Sequence, residues 1–320
     1  MAEIAVVPSA PILKLKRFKD PARYALIVTL AAIILITAIG NPRFLSPTNI
    51  FNILLQISVL GIVAAGQTLL IVSAGLDLSV GALLSVSAIV GGLIIHASGS
   101  TALGVVAAVL SGLIMGAANG ALIATGRAHP FILTLGTMTL LQGAALVLSD
   151  GAPINGMGWL FDYIGLGDLF GVPTPIYFLV AVVLIVHFIL SRTSLGRYAY
   201  AIGGNENATR LSGVPVGRIK IVLYAVNGLI VGIGAVVLAG VLDSALTTMG
   251  NGYELRAIAA VVIGGTPLVG GRGNVLGTFG GVLLLGLVSN SMNLLGVGAN
   301  YQNLTLGLIV TIAVLLQKQR

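Results

Sequence analysis

Ser191-Arg192-Thr193-Ser194-Leu195-Gly196-Arg197, continuing through Gly203-Gly204-Asn205-Glu206-Asn207-Ala208-Thr209-Arg210-Leu211-Ser212-Gly213 to Pro215, Arg218 and Lys220, lies between the apolar runs Ile176–Leu190 and Ile221–Val241. It is a long polar interruption of an otherwise apolar chain, and it carries helix punctuation. Asn205 can cap a helix start, Glu206 then stands where the positive end of the helix dipole favours a carboxylate, and Gly213 with Pro215 supplies a stop. That punctuation predicts a helix of about two turns. Glu206 and Arg210 are four apart in the favoured acid-then-base order, while Ala208 and Leu211 share another face that can dock into a partner. So short a helix is marginal alone in water, so the membrane surface, the rest of the chain or a second protein has to hold it.

The flanks set the class. The 320 residues are 57% hydrophobic and 8% charged, and the mean hydropathy is +1.08. Too little polar surface remains to clothe soluble domains of this size, which makes the chain an all-α polytopic integral membrane protein. Ten apolar runs follow one another: Tyr24–Ile39, Ile50–Val72, Val80–Ile95, Leu103–Thr125, Phe131–Leu148, Ile176–Leu190, Ile221–Val241, Tyr253–Val269, Val275–Met292 and Leu304–Leu316. A helix crosses the hydrocarbon in about 20 residues, so the shorter runs borrow flanking residues or are broken within the membrane.

Counted from an inside N-terminus, ten spans put Lys14, Lys16, Arg17, Lys19, Arg23, Arg127, Arg192, Arg197, Arg210, Arg218, Lys220, Arg272, Lys318 and Arg320 on the inside. Arg43 and Arg256 alone fall outside, the asymmetry expected of cytoplasmic loops. Both termini are then cytoplasmic: a tail over 1–23, a membrane domain over 24–317 with an inside segment 191–220 and an outside loop 149–175, and a short end at 318–320. Met1–Asp20 is not read as a cleaved signal, because a long basic lead precedes the first apolar run and no small-residue cleavage pattern follows. Topology accounts for the net charge of +7 without a nucleic-acid partner.

The loop Ser149–Pro175 holds Asp150, Asp162 and Asp168 with Trp159, Phe161 and Tyr163 and no Lys or Arg, which reads as an interfacial or re-entrant segment, or part of a landing surface for an extracytoplasmic partner. Glycines recur every four residues at Gly112, Gly116 and Gly120, at Gly228 and Gly232, and at Gly277 and Gly281, a spacing that lets helix backbones approach closely in lipid. Two glycine-rich turns, Gly75–Gly81 and Gly264–Gly273, are expected at the cytoplasmic face between paired spans and suggest a faint internal duplication. Within the first, Asp77 reads as the cap of a helix beginning near Leu78, or with Ser79 as part of a gate, with Arg127 or Arg272 as possible ion-pair partners.

No catalytic constellation can be assembled. Cysteine is absent, His96, His129 and His187 lie far apart without ligand spacing, and Gly271–Gly277 has the wrong spacing for a nucleotide fingerprint, so no metal or cofactor is expected in this chain. None of the nine acids is securely placed at mid-membrane, as a proton-coupled carrier requires. Neutral amides do lie within the runs: Gln56, Gln67, Asn119, Gln142, Asn227, Asn290 and Asn293. Singly each reads as structural; together they can line a hydrated route for an uncharged, hydroxyl-rich solute.

Three ordered stretches, Gly66-Gln67-Thr68-Leu69-Leu70-Ile71-Val72-Ser73-Ala74-Gly75-Leu76-Asp77-Leu78-Ser79-Val80-Gly81, Tyr200–Gly213 and Gly252-Tyr253-Glu254-Leu255-Arg256-Ala257-Ile258-Ala259-Ala260-Val261-Val262-Ile263-Gly264-Gly265, closely resemble the permease subunits of ribose-type ABC importers. The likeness runs from about Asn41 to the C-terminus. It implies a homodimer of roughly ten-helix permeases in the bacterial inner membrane, a cytoplasmic ATPase that holds ATP and Mg, a periplasmic sugar-binding protein, and lipid around the whole. It also implies that Asn205, Glu206, Asn207, Ala208, Thr209, Arg210, Leu211 and Ser212 form the segment that contacts the ATPase. Arg256 departs from the family, where an acid or neutral residue often follows Glu-Leu. A gradient-driven secondary carrier, a passive channel and a membrane-embedded enzyme are the competing classes, and uptake reconstituted with and without an ATPase separates the first two from the importer.

Overall fold

The computed structural model describes residues 21–316. The basic cluster Lys14–Lys19, most of the 1–23 tail, and the 318–320 end lie outside the described residues. The helices are α1 (Pro21–Gly40), α2 (Pro47–Val72), α3 (Val80–Ser98), α4 (Thr101–Ala124), α5 (Pro130–Leu148), α6 (Trp159–Leu166), α7 (Thr174–Arg192), α8 (Ser194–Gly204), α9 (Glu206–Leu211), α10 (Val216–Leu242), α11 (Tyr253–Ile263), α12 (Val275–Leu294) and α13 (Ala299–Leu316). Every one of the ten apolar runs contains a helix. Among the described residues seven of these, α2, α3, α4, α5, α7, α10 and α12, are long and apolar enough to cross a membrane.

Burial orders them. In α2, 89% of the most apolar window is inside the bundle, against 22% for α4 and 17% for α5. α2 is therefore the axis, and α4 and α5 turn broad apolar faces outward, among them Leu110, Ile114, Ile132 and Leu140. In water such faces would aggregate; in hydrocarbon they cost nothing.

The closest helix pair is α4 against α10, and glycine makes it possible. A Cβ on Gly112 or Gly116 would strike the carbonyls of Gly228 and Tyr224, and one on Gly120 would lie 2.8 Å from the Cα of Ile221. The same device joins α11 to α12, where Gly281 meets the Ala260 backbone and Gly277 meets Gly264. The four-residue glycine spacing thus is the packing surface that the sequence predicts.

Two breaks shape the interior. α2 ends in a Schellman turn, with Gly75 N–H donating to Leu70 O (2.8 Å), Ala74 N–H to Ile71 O (2.9 Å), and Ala74 in the left-handed region at φ 57°. α11 ends the same way: Thr266 N–H reaches Val261 O (3.1 Å), Gly265 N–H reaches Val262 O (3.0 Å), and Gly265 has φ 89°. The run Tyr253–Val269 is consequently shorter than its hydropathy suggests. Its helix is 11 residues long, about 16 Å or half a hydrocarbon thickness. The two turns also meet each other, since Gly271 N–H donates to Val72 O (2.9 Å).

At the opposite end of the bundle from α8 and α9, the loop 149–175 is structured. Strand β1 (Ile154–Asn155) pairs antiparallel with β4 (Ser244–Ala245), and β2 (Asp168–Leu169) forms a hairpin with β3 (Val172–Pro173). α6 turns Phe161 and Ile164 inward and packs Gly165 on the backbone of Gly240. Trp159, Tyr163 and Leu166 point outward, and Phe170 sits 93% exposed at the hairpin tip.

Candidate functional site

The polar segment 191–220 builds two helices rather than one. α7 runs on to Arg192, Thr193 caps α8 by accepting from Gly196 N–H (3.2 Å), and Asn205 caps α9 by accepting from Ala208 N–H (2.9 Å). Ser212 follows α9, and Gly213 at φ 82° closes it. The cap at Asn205 and the stop at Gly213 are those expected from sequence; α8 is not, although Thr193 before an amphipathic stretch was a signal for it.

α9 is held from one side and bare on the other. Glu206 forms ion pairs with Arg210 (2.8 Å) on its own helix and with Lys220 (2.7 Å) on α10. Burial pushes its carboxyl up, but the hydrogen bond and charge of Lys220, then those of Arg210, outweigh this and hold it below the usual carboxylate range. Thr209 is buried and donates to Asn205 O (2.8 Å). Asn207, Ala208, Arg210 and Ser212 are exposed, and Leu211 is 90% exposed. α8 ties the segment to the core: Tyr200 Oη donates to Gly273 O (2.7 Å), and a Cβ on Gly203 would strike the Val72 carbonyl. α9 is thus tied to α10 through Lys220, and through α8 to the end of α2 and the turn before α12. Glu206 and Lys220 also line a recess of about 370 Å³ with Arg127 and His129 of the α4–α5 loop.

The Gly75–Gly81 turn is not a surface turn. Asp77 is fully buried. It does not cap a helix at Leu78; α3 begins at Val80, and Asp77 Oδ1 accepts from Ser79 N–H (2.9 Å) and Ser79 Oγ (2.6 Å). Asn119 Nδ2 of α4 donates to Ser79 Oγ (2.9 Å), Asn227 Nδ2 of α10 to Asp77 Oδ2 (3.3 Å), and Gln67 Nε2 of α2 to Asp77 O (2.7 Å). Tyr224 and Thr134 take up the Leu76 and Leu78 backbone. Neither Arg127 nor Arg272 pairs with Asp77; among the described residues the partners of its carboxyl oxygens are the Ser79 hydroxyl, the Ser79 N–H and the Asn227 amide.

Of the seven amides read as a route, Gln142 lies half-buried on α5, and the other six fall into three places. Gln67, Asn119 and Asn227 belong to the Asp77 knot. Asn290 closes a reciprocal pair with Asn49 (2.9 and 3.0 Å), a buried tie between α12 and α2. Gln56 and Asn293 face a cavity of about 270 Å³ between α2, α11, α12 and α13, together with Ile57, Leu60, Tyr253, Arg256, Leu285, Gly286, Ser289 and Gln302. Gln302 Nε2 donates to Asn293 Oδ1 (2.6 Å). Arg256 and Gln302 were not on that route in the sequence reading; long-range pairing, which no local pattern encodes, brings them there.

An outward-apolar bundle with polar groups knotted inside it and a polar helical handle at one end defines a multi-pass membrane protein. Residues 49–316 match the family described as the permease component of branched-chain amino acid transport systems, and the chain belongs to that family. It is 42% identical over 299 residues to the ribose import permease of Escherichia coli (strain K12), covering 92% of this chain and 93% of that protein. It is 43% identical over 291 residues to the ribose import permease of Bacillus subtilis (strain 168), covering 90% of each, and 36% identical over 298 residues to the L-arabinose transport system permease of Escherichia coli (strain K12), covering 93% and 91%. The chain is the permease subunit of an importer.

Proposed function

We propose that this permease carries a monosaccharide, such as a ribose-like pentose, a hexose or a related polyol, inward across the bacterial inner membrane, driven by ATP and Mg on a separate cytoplasmic ATPase and supplied by a periplasmic binding protein. Two copies pair, each passing the membrane about ten times with both termini and segment 191–220 in the cytoplasm, loop 149–175 outside, and lipid against α4 and α5. The names of the relatives favour a sugar. The observation that carries the coupling role is α9: a six-residue helix, too short to stand alone, ion-paired to α10 and presenting Leu211, which is 90% exposed among the described residues.

Burying a leucine against a partner contributes about 1.5–3 kcal/mol, so losing it weakens docking by roughly ten- to a hundredfold. Leu211→Asp leaves the chain's own core untouched and uncouples the complex. Solute-stimulated ATPase activity and uptake are measured in proteoliposomes holding permease, ATPase and binding protein. Full activity in that variant sinks the assignment.

A further inference from the structure

We propose that the cavity between α2, α11, α12 and α13 is a solute site, taking one hydroxyl-rich molecule against the Arg256 guanidinium and the amides of Gln56, Asn293 and Gln302. It rests on the import reading above and adds to it the place and chemistry of recognition inside the membrane domain.

The helices bring these groups to one cavity. Gln56 lies nine residues into α2, about 14 Å along the helix from the α6 end of the bundle. Arg256 lies in the first turn of α11 and, like Gln56, is exposed to the cavity side of the chain. A guanidinium at that depth is costly in hydrocarbon, and such residues face water-filled space. Asn293 and Gln302 stand nearer the α6 end, joined at 2.6 Å, so the cavity runs from that end toward mid-bundle.

Its lining suits a neutral polyol. Arg256, Gln56 and Asn293 offer guanidinium and amide donors, while the amide oxygens of Gln56 and Gln302 accept, the Nε2 of Gln302 already donating to Asn293 Oδ1 and Val297 O; Gln56 has no protein hydrogen-bond partner among the described residues. Among the described residues no carboxylate lines the cavity. The neighbouring Glu254 turns away, accepting from Gly252 N–H (3.2 Å) and lying against Gly81 of α3. Ile57, Leu60 and Leu285 supply apolar wall for the C–H face of a sugar ring, and about 270 Å³ suits one small molecule. The Asn290 amide is paired with Asn49, and in the Asp77 knot the amide nitrogens of Gln67, Asn119 and Asn227 are given to protein acceptors, leaving only the fully buried oxygens of Gln67 and Asn227 without a partner among the described residues.

The chain has no cysteine, so Gln56→Cys offers a single thiol. In cells carrying the whole complex, an impermeant anionic thiosulfonate is expected to modify it from outside. Any sugar that the unaltered complex takes up should slow that modification at least about threefold, and Arg256→Gln should remove the preference for the anionic over the cationic reagent. Arg256→Gln should lower uptake about tenfold, the worth of one charge-assisted hydrogen bond, with partial recovery in Arg256→Lys and unchanged assembly of the complex. An unreactive thiol, the same rate with and without transported sugar, or full uptake by Arg256→Gln overturns the site. If the unaltered complex takes up no sugar, the import reading itself fails, whereas thiol reactivity and charge preference still judge the cavity.

Discussion

Replacing Gly120 by alanine should damage this protein in a way that replacing Gly136 does not. Both glycines are helical, so both substitutions gain the same propensity, about 0.5–1 kcal/mol, and that term cancels in the comparison. What remains is space. A Cβ at Gly120 falls 2.8 Å from Ile221 Cα and 2.9 Å from Tyr224 Cβ, whereas a Cβ at Gly136 meets nothing within 4 Å. Ordinary contact begins at 3.4 Å, so α4 and α10 must part by about 0.6 Å at that point; overpacking of this kind costs about 1–3 kcal/mol. The moving segment of α10 is the one that holds Lys220 against Glu206 at 2.7 Å. Gly120→Ala is therefore expected to melt about 2–12 °C below Gly136→Ala in detergent, and to lose ATPase-coupled uptake while still inserting into the membrane. Equal midpoints and equal uptake for the two variants would refute the close α4–α10 crossing and its role in transmission.

Two further outcomes follow from the polar groups. Lys220→Met should lose the tie between α9 and α10, a pair exposed enough to be worth only about 0.2–1 kcal/mol of stability, yet lower uptake much more than it lowers the melting temperature; because the carboxyl of Glu206 is held below its usual range, the tie contributes stability above the unfolded value of about 4.3 and loses it as pH falls through the folded one, so a wild-type melting curve unchanged by acidification to pH 3 and a Lys220→Met variant with normal uptake would both count against it. Asp77→Ala should be costlier than Asp77→Asn, because alanine strands the Ser79 N–H, Ser79 Oγ and Asn227 Nδ2 donors at about 1–3 kcal/mol each whereas asparagine keeps one acceptor; equal melting temperatures would show that the knot is not carried by the carboxylate.

What the sequence made legible was local. Hydropathy located a helix in each of ten runs, the four-residue glycine spacing marked the α4–α10 seam, and Asn205 with Gly213 bounded α9, because each of these depends on neighbours within a turn or two. The misses among the polar residues share one cause. The Asp77 turn looks like a polar surface loop until Asn119, Asn227 and Gln67 arrive from three other helices, and nothing in Gly75–Gly81 encodes their arrival. Asn290 and Asn293 are indistinguishable as letters three residues apart, yet one is closed by Asn49 and the other borders the cavity with Gln302. The break of α11 at Gly264-Gly265 was readable as a helix stop, but hydropathy averaged over Tyr253–Val269 hid it.

The sidedness of α9 tests the account most directly. Asn207→Cys and Phe170→Cys, each made in this cysteine-free chain, place a thiol on the exposed face of α9 and on the hairpin tip at the other end of the bundle. An impermeant maleimide applied to intact cells should modify Phe170→Cys alone, and applied to inside-out vesicles should modify Asn207→Cys alone. Modification of Asn207→Cys from outside would put the handle where no cytoplasmic ATPase can reach it, and would contradict the account.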